Sequence, residues 1–175
     1  MHDSPVLTLD FDPTLHGHAL VRGGSVQQEI IAIKQWAAEQ DGEFVVLAPW
    51  AAAPPRPHWT QVTQPIAWAG HLDRVRSEID ARYERLASRE HRAKSFRPLF
   101  VIIDESALLS QYVNERPRRE ASSTGTGRDA VESVSDIVRL GRAAGVHLVA
   151  AASGTQGTVH LNVLRDCGRE FDLNG

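Results

Sequence analysis

Residues 99–109 read LFVIIDESALL. Leu99 to Ile103 form an unbroken apolar run, Asp104 and Glu105 then stand side by side, and apolar residues resume. A run without polar alternation predicts a strand buried in the interior of a sheet. In parallel α/β sheets, ligands collect at the carboxyl ends of the strands, where the loops fan apart. An Asp at that edge can hold a hydrated Mg²⁺ that bridges phosphates. A Glu directly after it points elsewhere and can polarise an attacking water. The same residues also fit a strand that simply ends in a solvated acidic turn.

Outward from this stretch, short β-like runs alternate with helical patterns, which predicts a mostly parallel sheet flanked by helices. The first runs are VLTLDF (6–11) and HALVRG (18–23). From Ser25, a candidate N-cap, Val26, Ile30, Ile33 and Ala37 recur on one helical face, and Asp41-Gly42 closes the segment. EFVVLAP (43–49) reads as a buried strand. Residues 50–60, WAAAPPRPHWT, are too rich in proline for regular structure and predict a surface loop.

A second helix is expected from about His71 to Arg89, with Leu72, Val75, Ile79, Tyr83 and Leu86 at helical spacing. Residues 114–127 are basic at their start and then rich in Ser, Thr and Gly, the composition of a flexible loop. AVESVSDIVRLGRAAG (130–145) predicts a helix capped by Gly145. VHLVAAA (146–152) predicts a further strand, and REFDL (169–173) a last one. The chain reads as a single domain over residues 1–175.

Composition narrows the function classes. Apolar residues make up 42% and charged residues 23%, which is globular rather than disordered. A net charge of −3 gives no overall basic character, so any DNA contact needs a local patch. The single cysteine, Cys167, excludes an internal disulfide and fits a reducing compartment. No run approaches the length of a membrane span, and the N-terminus lacks a signal-peptide profile. A cytoplasmic location is the expectation. The histidines, His16 and His18 of HGH among them, show no convincing metal-ligand spacing.

Three motifs in one order carry a resemblance: IDARY (79–83), the strand with Asp104-Glu105, which has the Walker B pattern, and RAAGVHL (142–148). Together the chain from about Leu7 to Arg169 resembles the motor domain of FtsK/SpoIIIE-type DNA translocases, including the related conjugation motors of actinomycetes. The resemblance implies a RecA-like P-loop NTPase three-layer fold, incomplete at the C-terminus. It implies ATP and Mg²⁺ as cofactors, with Asp104 as metal ligand and Glu105 as catalytic residue activating water. The implied partners are double-stranded DNA, a ring of like subunits or an intact motor subunit, and no membrane segment.

One departure stands out. Where the family has a glycine-rich phosphate loop ending in Lys, this chain has only Arg22-Gly23-Gly24-Ser25. The lysines of the sequence are Lys34 and Lys94, neither of them in that loop. Arg22, Gly23, Gly24 and Ser25 remain the candidate cofactor-binding residues, although an Arg fork does not replace a compact ammonium in a tight loop. The expected function is therefore an ATP-binding, DNA-translocation-associated domain with impaired or lost hydrolysis. The alternative is a non-catalytic pseudo-ATPase module, or a fragment of a conjugation or mobile-element motor. Arg116, Arg118 and Arg119 are candidate DNA contacts, or ordinary residues of a solvated loop. Arg142 is a candidate trans-acting arginine, or the partner in a structural ion pair.

Overall fold

The computed structural model describes residues 9–49, 58–88, 96–108, 130–152 and 168–173. A helical turn, α1 (Pro13–His16), precedes β1 (Ala19–Arg22) and α2 (Val26–Ala37). Next come β2 (Glu43–Leu47), β3 (Trp59–Val62), a 3₁₀ turn at Pro65–Ala67 and the long helix α3 (Trp68–Ala87). The opening stretch forms β4 (Leu99–Asp104) and runs into a helical turn at 105–108. Then follow α4 (Ala130–Leu140), a 3₁₀ turn (Arg142–Ala144), β5 (Val146–Ala151) and β6 (Arg169–Asp172).

The strands form one sheet in the order β3-β2-β4-β5-β1-β6, and every pairing is parallel. Parallel neighbours need crossover connections, and the helices placed by those crossovers cover both faces. The alternation of side chains shows this residue by residue. On β4, Leu99, Val101 and Ile103 join the core under α3 and α4, while Phe100 and Ile102 join the core under α2. On β5, Leu148 and Ala150 face the first core and Val149 and Ala151 the second. Both strands are buried along their whole length. Each fully buried Ile, Leu or Phe contributes roughly 1.5–3 kcal/mol. The pattern LFVII thus reports a strand with a helix layer on either side, and the three-layer RecA-like expectation holds.

Four details depart from the sequence reading. Leu9 and Phe11 are buried but lie in no strand. The Phe11 carbonyl accepts the Trp36 Nε1 hydrogen at 3.1 Å, and Asp12 caps α1 with Pro13 in its first turn. Trp59 and Thr60, expected in the proline-rich loop, belong to edge strand β3, in register with Phe44 and Val45. Proline clusters stop at Pro57, so the residues after them are free to pair. Helix α3 starts at Trp68, whose fully buried indole donates to the Val62 carbonyl at 3.0 Å. Helix α4 ends at Leu140, and Gly145, at φ +67°, caps the 3₁₀ turn that follows.

The remaining proline-rich segment (50–57), the whole 114–127 loop and Cys167 lie outside the described residues.

Candidate functional site

Strand register brings the two halves of the expected site to one edge. Asp104 pairs with Ala151 of β5, and Ala151 pairs with Val21 of β1. The strand carrying Asp104 and the strand leading into the glycine turn therefore end level, with β5 between them. Neighbouring strands lie about 4.8 Å apart, so β4 and β1 are separated by roughly 10 Å. That gap is of the right order for a phosphate chain with its cation.

Asp104 is 2% exposed. Its Oδ1 accepts from the Ser106 hydroxyl at 2.7 Å and from the Ala107 amide at 3.1 Å. These bonds make Asp104 the N-cap of the helical turn that begins at Glu105, which fixes its carboxylate at the sheet edge. Both bonds land on Oδ1, which leaves Oδ2 as the oxygen with which a cation would be held. The carboxylate thus fits the metal-side role implied by the resemblance.

Glu105 is 1% exposed, and neither of its carboxylate oxygens has a hydrogen-bond partner. Burial pushes its carboxyl up to about 7, and the charges of Asp104 and then Glu29 push in the same direction. Desolvation penalises the ionised form, and like charges nearby add to that penalty.

The glycine turn is occupied by the chain's own side chains. Gly23 has φ +97°, a left-handed value that glycine adopts without strain. The Gly24 amide donates to Glu29 Oε1 at 3.2 Å. The Ser25 amide donates to Gln28 Oε1 at 2.8 Å, and the Gln28 amide returns a bond to Ser25 Oγ at 3.3 Å. Ser25 is thus the N-cap of α2 in a reciprocal capping box. Arg22 pairs with Glu170 and lies 3.9 Å from Asp172, both on β6. Lys34 sits nine residues beyond Ser25 in α2, about 13 Å along the helix axis. In this arrangement the Gly24 and Ser25 amides, which would cradle a phosphate, are bonded to side chains.

Glu29 is the residue that sequence reasoning missed. It is completely buried on the first turn of α2. The available signal was an acidic residue on the flank of an apolar helical face, one turn after a serine cap; α-helix N-termini favour such charges. Spacing alone does not show that its carboxylate turns back to the Gly24 amide.

Arg142 lies at the opposite end of β5, away from Asp104, and its Nη2 donates to the Leu15 carbonyl at 3.0 Å. The motif IDARY turns out to meet the motif RAAG. Arg82 donates through Nη1 to the carbonyls of Ala144 (3.0 Å) and Gly145 (3.3 Å), and through Nε to Glu78 (2.8 Å). The Tyr83 hydroxyl donates to the Leu140 carbonyl at 2.9 Å. The bonds to Leu140 and Ala144 satisfy carbonyls left open where α4 ends and the 3₁₀ turn closes, while Gly145 also accepts the Leu99 amide at 3.0 Å. Arg116, Arg118 and Arg119 lie outside the described residues. Among the described residues no group of three or more His, Cys, Asp or Glu has the geometry of a metal site, and no helix is long and apolar enough to cross a membrane.

No known family model matches the sequence, and no curated protein is similar to it at the sequence level. Solved structures are similar in fold. The pCW3 conjugation coupling protein TcpA, in a monomer form with ATPγS, has a TM-score of 0.70 at 13% identity, over 91% of this chain and 49% of its own. The cytoplasmic domain of the Thermomonospora curvata type VII secretion ATPase EccC has a TM-score of 0.58 at 16% identity, over 89% of this chain and 18% of its own. The cytoplasmic domain of EssC has a TM-score of 0.56 at 11% identity, over 90% of this chain and 30% of its own. The chain therefore spans about half or less of the length of these proteins. With an all-parallel sheet in which β5 separates the acidic strand from the glycine-turn strand, the chain has the RecA-like P-loop fold of the FtsK/SpoIIIE-type ATPases.

Proposed function

We propose that this chain is a hydrolysis-impaired ATPase-like domain, a pseudo-ATPase that serves an ATP-driven DNA-translocation machine of conjugation or mobile-element type. Its role there is binding or assembly, in the cytoplasm, rather than independent turnover. One observation carries the reading: the Gly24 and Ser25 amides are bonded to Glu29 and Gln28, and no described lysine stands at the turn. Catalysis of phosphoryl transfer rests on positioning and on charge stabilisation of the phosphate oxygens. At this turn, among the described residues, the amides are engaged by side chains and no lysine supplies charge. The similarity in fold to a conjugation coupling protein supports the class of machine.

A second reading, residual Mg²⁺-nucleotide binding without turnover, is favoured by the free Oδ2 side of Asp104 and by Glu105, buried beside it without a hydrogen-bond partner. In that reading Asp104 holds the metal and Glu105 faces the attacking water. The loop with Arg116, Arg118 and Arg119 would approach the DNA backbone, and Arg142 would reach a neighbouring subunit of a ring. Steady-state hydrolysis measured with and without double-stranded DNA tests the main proposal. Wild type is expected to match buffer. DNA-stimulated turnover that Asp104→Asn abolishes would reject it. Neutralising the three arginines separates a DNA-facing loop from a solvated one, because loss of phosphate contacts flattens the salt dependence of binding.

A further inference from the structure

We propose that the Gly23-Gly24-Ser25 turn is an anion site whose resident is the chain's own Glu29, with its carboxylate held where a phosphate group would be. The inference rests on the reading of this turn as a reduced phosphate loop, and it names the residue that sets the turn's affinity for phosphate. The turn opens a helix of 12 residues, whose aligned peptide dipoles favour a negative group at that end. Glu29 supplies one: its Oε1 takes the Gly24 amide hydrogen at 3.2 Å, reaching back across the capping serine.

Glu29 is 0% exposed, and a carboxylate is buried so deeply only when donors compensate the lost water. A second observation comes from the end of β4, level with the strand that leads into the turn. Glu105 is 1% exposed and lacks any partner for either oxygen. Two buried carboxylates thus belong to the edge where the chemistry of the fold would place an anion and a base. Glu29 therefore both fills the anion's position and repels a second negative group. Removing its charge frees the turn for a phosphate or pyrophosphate group.

The test titrates the full chain and two variants, Glu29→Gln and Glu29→Ala, with inorganic pyrophosphate by calorimetry, after circular dichroism and urea unfolding have confirmed folding. Glutamine keeps the shape and an acceptor but not the charge; alanine opens the turn. Wild type should show no saturable binding at millimolar pyrophosphate, and the variants should bind at least about tenfold more tightly. Equal affinity in all three proteins, or binding in none, would overturn the proposal. Should neither variant fold, the Gly24 amide resonance of wild type decides. A saturating shift on adding pyrophosphate overturns the proposal, and an unmoved resonance upholds it. A parallel assay of ATP hydrolysis keeps the two readings apart. Turnover by wild type rejects the pseudo-ATPase role whatever the pyrophosphate result, and gained pyrophosphate binding without turnover supports both.

Discussion

The Glu29 carboxylate stands close enough to Glu105 for its charge to help raise the Glu105 carboxyl to about 7, behind desolvation and the charge of Asp104. Two acids from elements far apart in sequence are thus both buried and coupled through their charges. This relationship has consequences for stability that can be measured without any ligand.

The Glu105 carboxyl is raised in the folded chain from 4.5 to about 7, so between those values the folded state binds more protons than the unfolded state. Its contribution to stability is complete below about pH 4.5 and is lost as pH rises through about 7. The loss is on the order of 3 kcal/mol at most. Urea unfolding of Glu105→Gln should therefore show greater stability than wild type at pH 8 and little gain at pH 5. Equal differences at both pH values would rule out a buried, titrating Glu105.

Asp104 is expected to act on two observables at once. Asp104→Ala leaves the Ala107 amide without its cap and should cost about 1 kcal/mol, whereas Asp104→Asn keeps an acceptor and should cost less. Because the Asp104 charge raises the Glu105 carboxyl, Asp104→Asn should also move that titration toward lower pH. Carbon-detected NMR of the Glu105 side chain reads the shift directly. An unmoved titration would show that the two carboxylates do not interact.

At the other end of the sheet the sign reverses. The His18 Nδ1 accepts the Leu148 amide at 2.9 Å, which assigns the proton of the neutral ring to Nε2, an atom with no partner. Burial, and then the neighbouring His147, lower the ring to about 4 from 6.5. Below pH 6.5 the unfolded chain takes up a proton that the folded chain refuses, so this contribution is lost as pH falls from about 6.5 to about 4. His18→Asn retains an acceptor for Leu148 and should remove much of the acid sensitivity. Since Glu105 acts in the opposite direction over an overlapping range, the double variant Glu105→Gln, His18→Asn is the control. It should show the flattest stability profile of the set.

The clamp of α3 on the end of α4 yields a mutational prediction. Arg82→Ala strands the Ala144 carbonyl, takes from Gly145 the second of its two donors, and removes a buried guanidinium that is paired with Glu78. A cost of roughly 3 kcal/mol is expected, against about 1 kcal/mol for Tyr83→Phe, which loses one hydrogen bond to Leu140. Urea midpoints at constant slope measure both. A smaller loss for Arg82→Ala than for Tyr83→Phe would contradict the clamp.

Much of this architecture is written locally. The predominantly apolar runs of β4 and β5 announce strands covered on both faces, because a helix layer on each side leaves little room for polar residues. Ser25 as a cap, Gly145 in a left-handed conformation and the late strand β6 follow from residue chemistry that acts within a few positions. The acidic pair at the end of β4 and the missing lysine were likewise legible, and with them the doubt about hydrolysis. What the chain alone determined, then, is which segments are strands and helices and which chemical groups stand at their ends. Tertiary structure decided which partner each group meets. It placed β5 between Asp104 and the glycine turn, tied Arg82 to carbonyls 62 and 63 residues away, and brought Glu29 into the field of Glu105. The physical reason is that hydrophobic period and capping are local properties, whereas a buried hydrogen bond or charge pair depends on what arrives from elsewhere as water leaves.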